Sequence, residues 1–155
     1  MVMKENFTAD EWTTLVSLPY AVSMAVIAAD PNVMGIWSET KTMMQAPPAL
    51  ASASGSALAG LVIAEAQPKL KDLIKEQQHL WKQDMAGYRT KVIASCKAAA
   101  AALSKVPADE ALSYKKWLLA LAQKVAEASK EHGVAVSDPE KAALAELSAA
   151  LGRIG

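Results

Sequence analysis

Residues 111–154, ALSYKKWLLALAQKVAEASKEHGVAVSDPEKAALAELSAALGRI, decide the fold, because they spell two amphipathic helices with a short connection. Apolar side chains recur at steps of three and four residues in each, which places them on one helical face. In the first helix these are Tyr114, Leu118, Leu121, Val125 and Ala128, and in the second Leu144, Leu147, Leu151 and Ile154. We expect a C-terminal helical hairpin whose two apolar faces pack against each other.

The connection between the two helices carries matching end signals. Gly133 suits the end of the first helix because glycine adopts the left-handed conformation without a Cβ clash, and His132 suits the negative helix end. The second helix follows S-D-P-E, where the Ser137 hydroxyl can accept an amide hydrogen and Glu140 can bond back. The sequence therefore predicts helix, short loop and helix.

The first predicted helix has a clear start and one interruption. Thr8 and Glu11 form a capping box, so the helix should begin at about Ala9. Pro19 lacks an amide hydrogen and is expected to kink or restart it.

Prolines and small residues mark the next two segments. A short helix over residues 36–45 should end at Pro47-Pro48 and expose Met43 and Met44. Beyond it, small residues recur every fourth position, which predicts one helix with a face that another helix can approach closely. They are Ser52, Ser56 and Gly60.

Residues 69–105 carry one apolar stripe, made by Ile74, Trp81, Met85, Tyr88, Val92, Cys96, Ala99 and Leu103. As one straight helix this region would run about 55 Å, whereas a compact domain of this size is about 40 Å across. We expect a break near Gly87, or a protrusion towards a partner; the pattern leaves open one helix or two.

Two uncharged segments, residues 12–29 and 42–64, are long enough for contact with a membrane to be an alternative. Serine, threonine and proline dilute both, so we expect buried helices. The N-terminus lacks the pattern of a secretory signal.

Composition narrows the class of protein. The 155 residues suit a single domain, 1–155, and the patterning predicts an all-α bundle of about five to seven helices. Sixteen basic and sixteen acidic residues cancel, which argues against nucleic-acid binding. The single cysteine, Cys96, excludes an intrachain disulfide and is expected to be a buried structural thiol.

The candidate metal ligands are Glu76 and His79, which share a helical face three residues apart, with Asp72 one turn before. Carboxylate-bridged di-iron bundles use two such pairs and two more glutamates, but this chain has one pair. We therefore expect these side chains to form a solvated helix face, with a metal site as the alternative. The sequence shows no catalytic constellation, phosphate loop or identifiable cofactor motif.

The C-terminal segments YKKWLLALAQKVAEASKEHG and VSDPEKAALAELSAALG resemble a family of small uncharacterised bacterial helical proteins, which implies a cytoplasmic location. More distantly, this hairpin resembles that of TerB-like tellurite-resistance proteins, which implies a helical protein associated with stress and metal responses. The pattern departs from that family at His132, where TerB-like hairpins typically carry aspartate.

These patterns predict a non-enzymatic helical binding module that acts as a homo-oligomer or with a protein partner. One alternative is a protein that binds a metal or an apolar small molecule, since seven methionines and four tryptophans can line a pocket as well as fill a core. Another is association with a membrane surface.

Overall fold

The computed structural model describes residues 3–29, 36–128 and 138–152, without the side chains of residues 36–40. Within these ranges it contains no strand and seven α-helices, which confirms the all-α prediction and the expected number of helices. The helices are α1 (Ala9–Ala29), α2 (Ile36–Ser54), α3 (Ala57–Ala66), α4 (Leu70–Gln83), α5 (Tyr88–Ala102), α6 (Ala108–Glu127) and α7 (Asp138–Leu151).

Helix α1 is the centre of the bundle and contacts each of the other six helices. Because it is surrounded, it is apolar on nearly every side. It begins at the expected capping box, in which the Thr8 amide donates to Glu11 at 2.8 Å and the Glu11 amide donates to the Thr8 hydroxyl at 3.1 Å. Within the described residues it is also the one helix that is long and apolar enough to cross a membrane, although 67% of its most apolar window is buried.

Pro19 does not restart α1, so that part of the prediction is wrong. A proline at this position leaves the carbonyl of Leu15 without its usual helical donor. The Tyr114 hydroxyl from α6 donates to that carbonyl at 2.7 Å in the buried core. A side chain 99 residues away thus replaces the missing amide hydrogen.

Helix α2 continues through Pro47 and Pro48, which we expected to end it. It lies along α6, from which the Trp117 indole donates to the Pro47 carbonyl at 3.1 Å. Met43 is fully buried and only Met44 is exposed, so the expected exposure of both is wrong for Met43. Packing against α6 therefore outweighs the local cost of two prolines.

The small-residue face predicted around Ser56 does not form, because the helix breaks at Gly55. Gly55 has a φ of 69°, a conformation that glycine adopts without strain. Ser56 instead caps α3 by accepting from the Ala59 amide at 3.1 Å. Ser52 is exposed, and a Cβ added to Gly60 would meet nothing within 4 Å.

Residues 69–105 form two helices, α4 and α5, with a turn at residues 84–87. The Gly87 amide donates to the Asp84 carboxylate at 3.0 Å, and a side chain at Gly87 would collide with that carboxylate. The expected break near Gly87 is confirmed. Met85 lies in the turn and is 61% exposed, so its assignment to the apolar stripe was wrong.

The C-terminal helices α6 and α7 contact each other, but α7 packs more extensively against α5. The expectation that their two apolar faces mainly pair with each other is therefore only partly met. All five stripe residues of α6 are buried, as are Leu147 and Leu151 of α7. The connection between the two helices, which contains His132, Gly133 and Ser137, lies outside the described residues, and so does Ile154.

Candidate functional sites

The predicted metal ligands Asp72, Glu76 and His79 are all exposed on α4. The opposite face of this helix is buried through Leu73 and Ile74. Among the residues that the structure describes, no three His, Cys, Asp or Glu side chains are grouped to hold a metal ion. Glu76 differs from the other two because it also lines a cleft.

The Cys96 thiol is fully buried, as predicted, and burial raises its pKa to about 12. A thiol with such a pKa stays protonated at neutral pH and is a poor nucleophile. His79 forms no hydrogen bond with a described residue, and it is the one histidine in the described ranges. These ranges therefore contain no paired thiol and imidazole.

A polar cleft of about 190 Å³ lies between α4 and α5, with α1 as its floor. Both of these helices pack on α1. We define the polar cleft by its polar side chains, which are Thr13, Thr14, Ser17, Glu76, Gln77, Tyr88, Lys91 and Ser95.

The floor of the polar cleft presents hydrogen-bond acceptors. The Thr13 and Thr14 hydroxyls donate their hydrogens to the carbonyls of Ala9 and Asp10, at 2.9 and 3.1 Å. Since a hydroxyl has one hydrogen and two lone pairs, both threonines keep acceptor capacity.

One end of the polar cleft is fixed by a hydrogen bond between its two walls. The Tyr88 hydroxyl of α5 donates to the side-chain oxygen of Gln77 in α4. Both residues are buried, and burial raises the Tyr88 pKa. The Gln77 amide nitrogen, which carries two hydrogens, donates to no described residue, although Gln77 is only 6% exposed.

A larger open groove of about 530 Å³ runs between α5 and α7. We define this α5–α7 groove by Arg89, Thr90, Ile93, Lys97, Glu146, Ala149 and Ala150. Its floor is apolar, through Ile93 and the two alanines. Arg89 contacts Glu146 at 3.4 Å across the groove, while Lys97 forms no ion pair with a described residue.

The α5–α7 groove continues towards the turn between α4 and α5. An adjoining hollow of about 300 Å³ shares Arg89, Thr90 and Glu146 with it and is bounded by Met85 and by alanines at the end of α1. Met85 is the most exposed large apolar side chain in the described ranges. The two hollows together form a continuous surface with apolar and basic groups.

Among the residues whose side chains are described, the tryptophans are buried or half-buried, whereas the methionines are divided: two are in the core and Met3, Met44 and Met85 are exposed. Trp12, Trp117, Met24 and Met43 are buried, and Trp81 is half-buried. Trp117 also borders a shallow apolar hollow of about 280 Å³ between α2 and α6, but its indole nitrogen is already bonded to Pro47.

Sequence reasoning located Glu76 but missed Lys91 in the same cleft and the basic side chains of the α5–α7 groove. Arg89, Ile93 and Lys97 recur every fourth residue, so their shared face on α5 was readable from spacing alone. The presence of Glu76, Lys91 and the hydroxyls of α1 in one cleft was not readable from spacing, because it depends on how three helices pack.

No family model, curated protein or solved structure matches this chain. The resemblance of residues 114–152 to the bacterial helical families stays a prediction.

Proposed function

We propose that the protein is a non-catalytic helical binding module and that the α5–α7 groove receives an acidic amphipathic helix of a protein partner. The observation that carries this proposal is the combination of an open apolar floor with a basic rim in one groove. Amphipathic helices are recognised by apolar grooves through side chains spaced three and four residues apart.

The dimensions of the groove fit this occupant. Arg89 and Lys97 are eight residues apart on α5, which corresponds to about 12 Å along the helix. Two or three turns of a partner helix would span that length. Beyond Arg89, the exposed Met85 adds an apolar side chain that adapts its shape to a partner.

The charges of the groove favour acidic side chains. Lys97 is available to a partner carboxylate, and Arg89 has five N–H donors of which its contact with Glu146 engages one nitrogen. Because a surface ion pair of this kind contributes little to stability, a partner carboxylate can compete with Glu146 for the guanidinium at low cost.

Site-specific photo-cross-linking of the full chain tests the proposal in cells that produce it. Replacing the exposed Thr90 with a photo-reactive amino acid should give a defined adduct, and Lys97→Glu should abolish it by charge repulsion. The matched control is Lys124→Glu, an exposed lysine of α6 outside the groove, which should leave the adduct unchanged.

The mass of the adduct identifies the occupant. A mass of twice the chain would mean that the groove joins two copies, which replaces the proposed partner with self-association. No adduct from Thr90, or an adduct that persists in Lys97→Glu, would contradict the proposal.

A further inference from the structure

We infer that the polar cleft between α4 and α5 binds a small zwitterion, a molecule that carries one ammonium and one carboxylate group. The two charged side chains of the cleft lie on opposite walls. Glu76 is on α4 and Lys91 is on α5, and they form no ion pair with each other. Because these two side chains do not pair with each other, a ligand with both charges can form an ion pair with each of them.

The carboxylate of the ligand is held from the α5 side and from the buried wall. Among the described residues, the Lys91 ammonium forms one ion pair, with Asp84 at 3.9 Å, and its side chain is 56% exposed. Gln77 also lines the cleft, and its amide nitrogen, which stays accessible to solvent, donates to no described residue. Its two amide hydrogens can therefore be donated to a ligand carboxylate in the cleft.

The ammonium of the ligand is held by acceptors. The Glu76 carboxylate forms no ion pair with a described residue, and the Thr13 and Thr14 oxygens on the floor keep free lone pairs. The Tyr88 hydroxyl does not compete for the ligand because its hydrogen is engaged by Gln77. The donors of the cleft are therefore Lys91 and Gln77, and the acceptors are Glu76 and the two threonines of the floor.

The volume sets the size of the ligand. About 190 Å³ is below the range of about 300–1,000 Å³ that is usual for pockets of drug-sized ligands. Leu18, Leu80 and Val92 supply the apolar part of the lining. This combination fits a molecule the size of a small free amino acid with a short aliphatic chain.

Calorimetric titration of the full chain tests the inference with glycine, β-alanine and 4-aminobutanoate, which differ in the spacing of their charges. At least one should bind saturably. Acetate and methylammonium, which carry one charge each, should bind at least about tenfold more weakly than the best zwitterion. The reason is that each charge-assisted hydrogen bond contributes about 1.5–3 kcal/mol.

Charge-removing variants locate the site. Glu76→Gln and Lys91→Met should each weaken binding of the best zwitterion about tenfold or more. Asp72→Asn and Lys97→Met are the matched controls, because they remove the same charges from α4 and α5 outside the cleft, and they should change the affinity by less than about twofold.

Three results would overturn the inference: no saturable binding of any zwitterion, equal binding of acetate, or binding that Glu76→Gln and Lys91→Met leave unchanged. Circular dichroism of each variant shows that it is folded. The outcome is independent of the proposed function, because cross-linking from Thr90 depends on Lys97 and not on Lys91.

Discussion

At the scale of single residues, the contact between Tyr114 and Leu15 explains how a proline is tolerated in the most buried helix. The Leu15 carbonyl loses its helical donor because residue 19 is proline, and it is too deeply buried for water to replace it. The Tyr114 hydroxyl fills this role at 2.7 Å. The Tyr114 ring also packs edge-on against the Trp117 ring, with 5.6 Å between the two ring centroids. This packing helps to fix the direction of the hydroxyl.

Tyr114→Phe should lower the free energy of unfolding by about 1–3 kcal/mol, because it leaves a buried carbonyl without a donor. In a Pro19→Ala background the loss should be smaller, since the restored amide of residue 19 can donate to Leu15. Urea unfolding of the four proteins in this double-mutant cycle measures the coupling.

Tyr20→Phe is the matched control for this prediction. Tyr20 is equally buried, and burial raises its pKa to about 12, but its hydroxyl has no hydrogen-bond partner among the described residues. Removing that hydroxyl should leave stability unchanged or raise it. Equal losses for both tyrosines, or additive effects of Pro19→Ala and Tyr114→Phe, would contradict the explanation.

At the scale of secondary-structure elements, α3 is held by a cap that comes from another helix. The Glu110 carboxylate, in the first turn of α6, accepts hydrogen bonds from the Ala57 and Leu58 amides at 3.3 and 3.2 Å. Together with Ser56, it satisfies three of the amides that the start of α3 leaves free. This junction fixes where α3 starts after Gly55.

Glu110→Ala should destabilise the protein by about 0.5–2 kcal/mol, the usual cost of losing a helix cap. Glu110→Gln should cost less, because the amide oxygen can still accept one of the two bonds. Asp109→Ala removes the neighbouring exposed acid, whose side chain forms no hydrogen bond with α3, and serves as control. Hydrogen exchange should show faster exchange at Leu58 in Glu110→Ala; unchanged exchange there would contradict this role.

At the scale of the whole molecule, surface ion pairs join segments that are far apart in sequence. Glu65 of α3 accepts from the Trp12 indole at 3.1 Å and contacts Lys4 at 3.2 Å. Glu11 contacts Lys105, 94 residues away, at 2.6 Å. The hydrogen bond from Trp12 lowers the Glu65 pKa, and the hydrogen bond from Lys105 lowers the Glu11 pKa.

A lowered carboxylate pKa stabilises the folded state above the pKa of the unfolded chain, which is about 4.3 for glutamate. This stabilisation is lost as the pH falls through the lower pKa of the folded state. We therefore expect the urea concentration at the unfolding midpoint to decrease as the pH is lowered below about 4.3. The decrease should be less steep in a Glu11→Gln, Glu65→Gln double variant.

The control for this pH dependence is Glu5→Gln, at an exposed position that forms no ion pair with a described residue. The urea midpoint of this variant should change with pH in the same way as that of the unmodified protein, from pH 7 down to acidic pH. A double variant with the same acid dependence as the unmodified protein would show that Glu11 and Glu65 do not cause it.

The sequence alone predicted those features whose physical cause is local. The capping box at Thr8 and Glu11, the apolar stripe of α6 and the break near Gly87 each depend on residues a few positions apart. Helical periodicity and capping act over the same short distances. For this reason the all-α class and most helix boundaries could be predicted from the sequence, and Cys96 could be assigned to the core.

Only the tertiary structure decided what the prolines and the candidate sites do. Pro19 lies inside a continuous helix because the Tyr114 hydroxyl, 99 residues from Leu15, donates to the carbonyl that the proline leaves without a donor. Pro47 lies inside α2, which packs against α6 and accepts a hydrogen bond from Trp117, 70 residues away. Likewise, Glu76 became part of a polar cleft through side chains of α1 and α5. Helix packing brings these groups together, and the spacing of residues along one helix carries no information about such contacts.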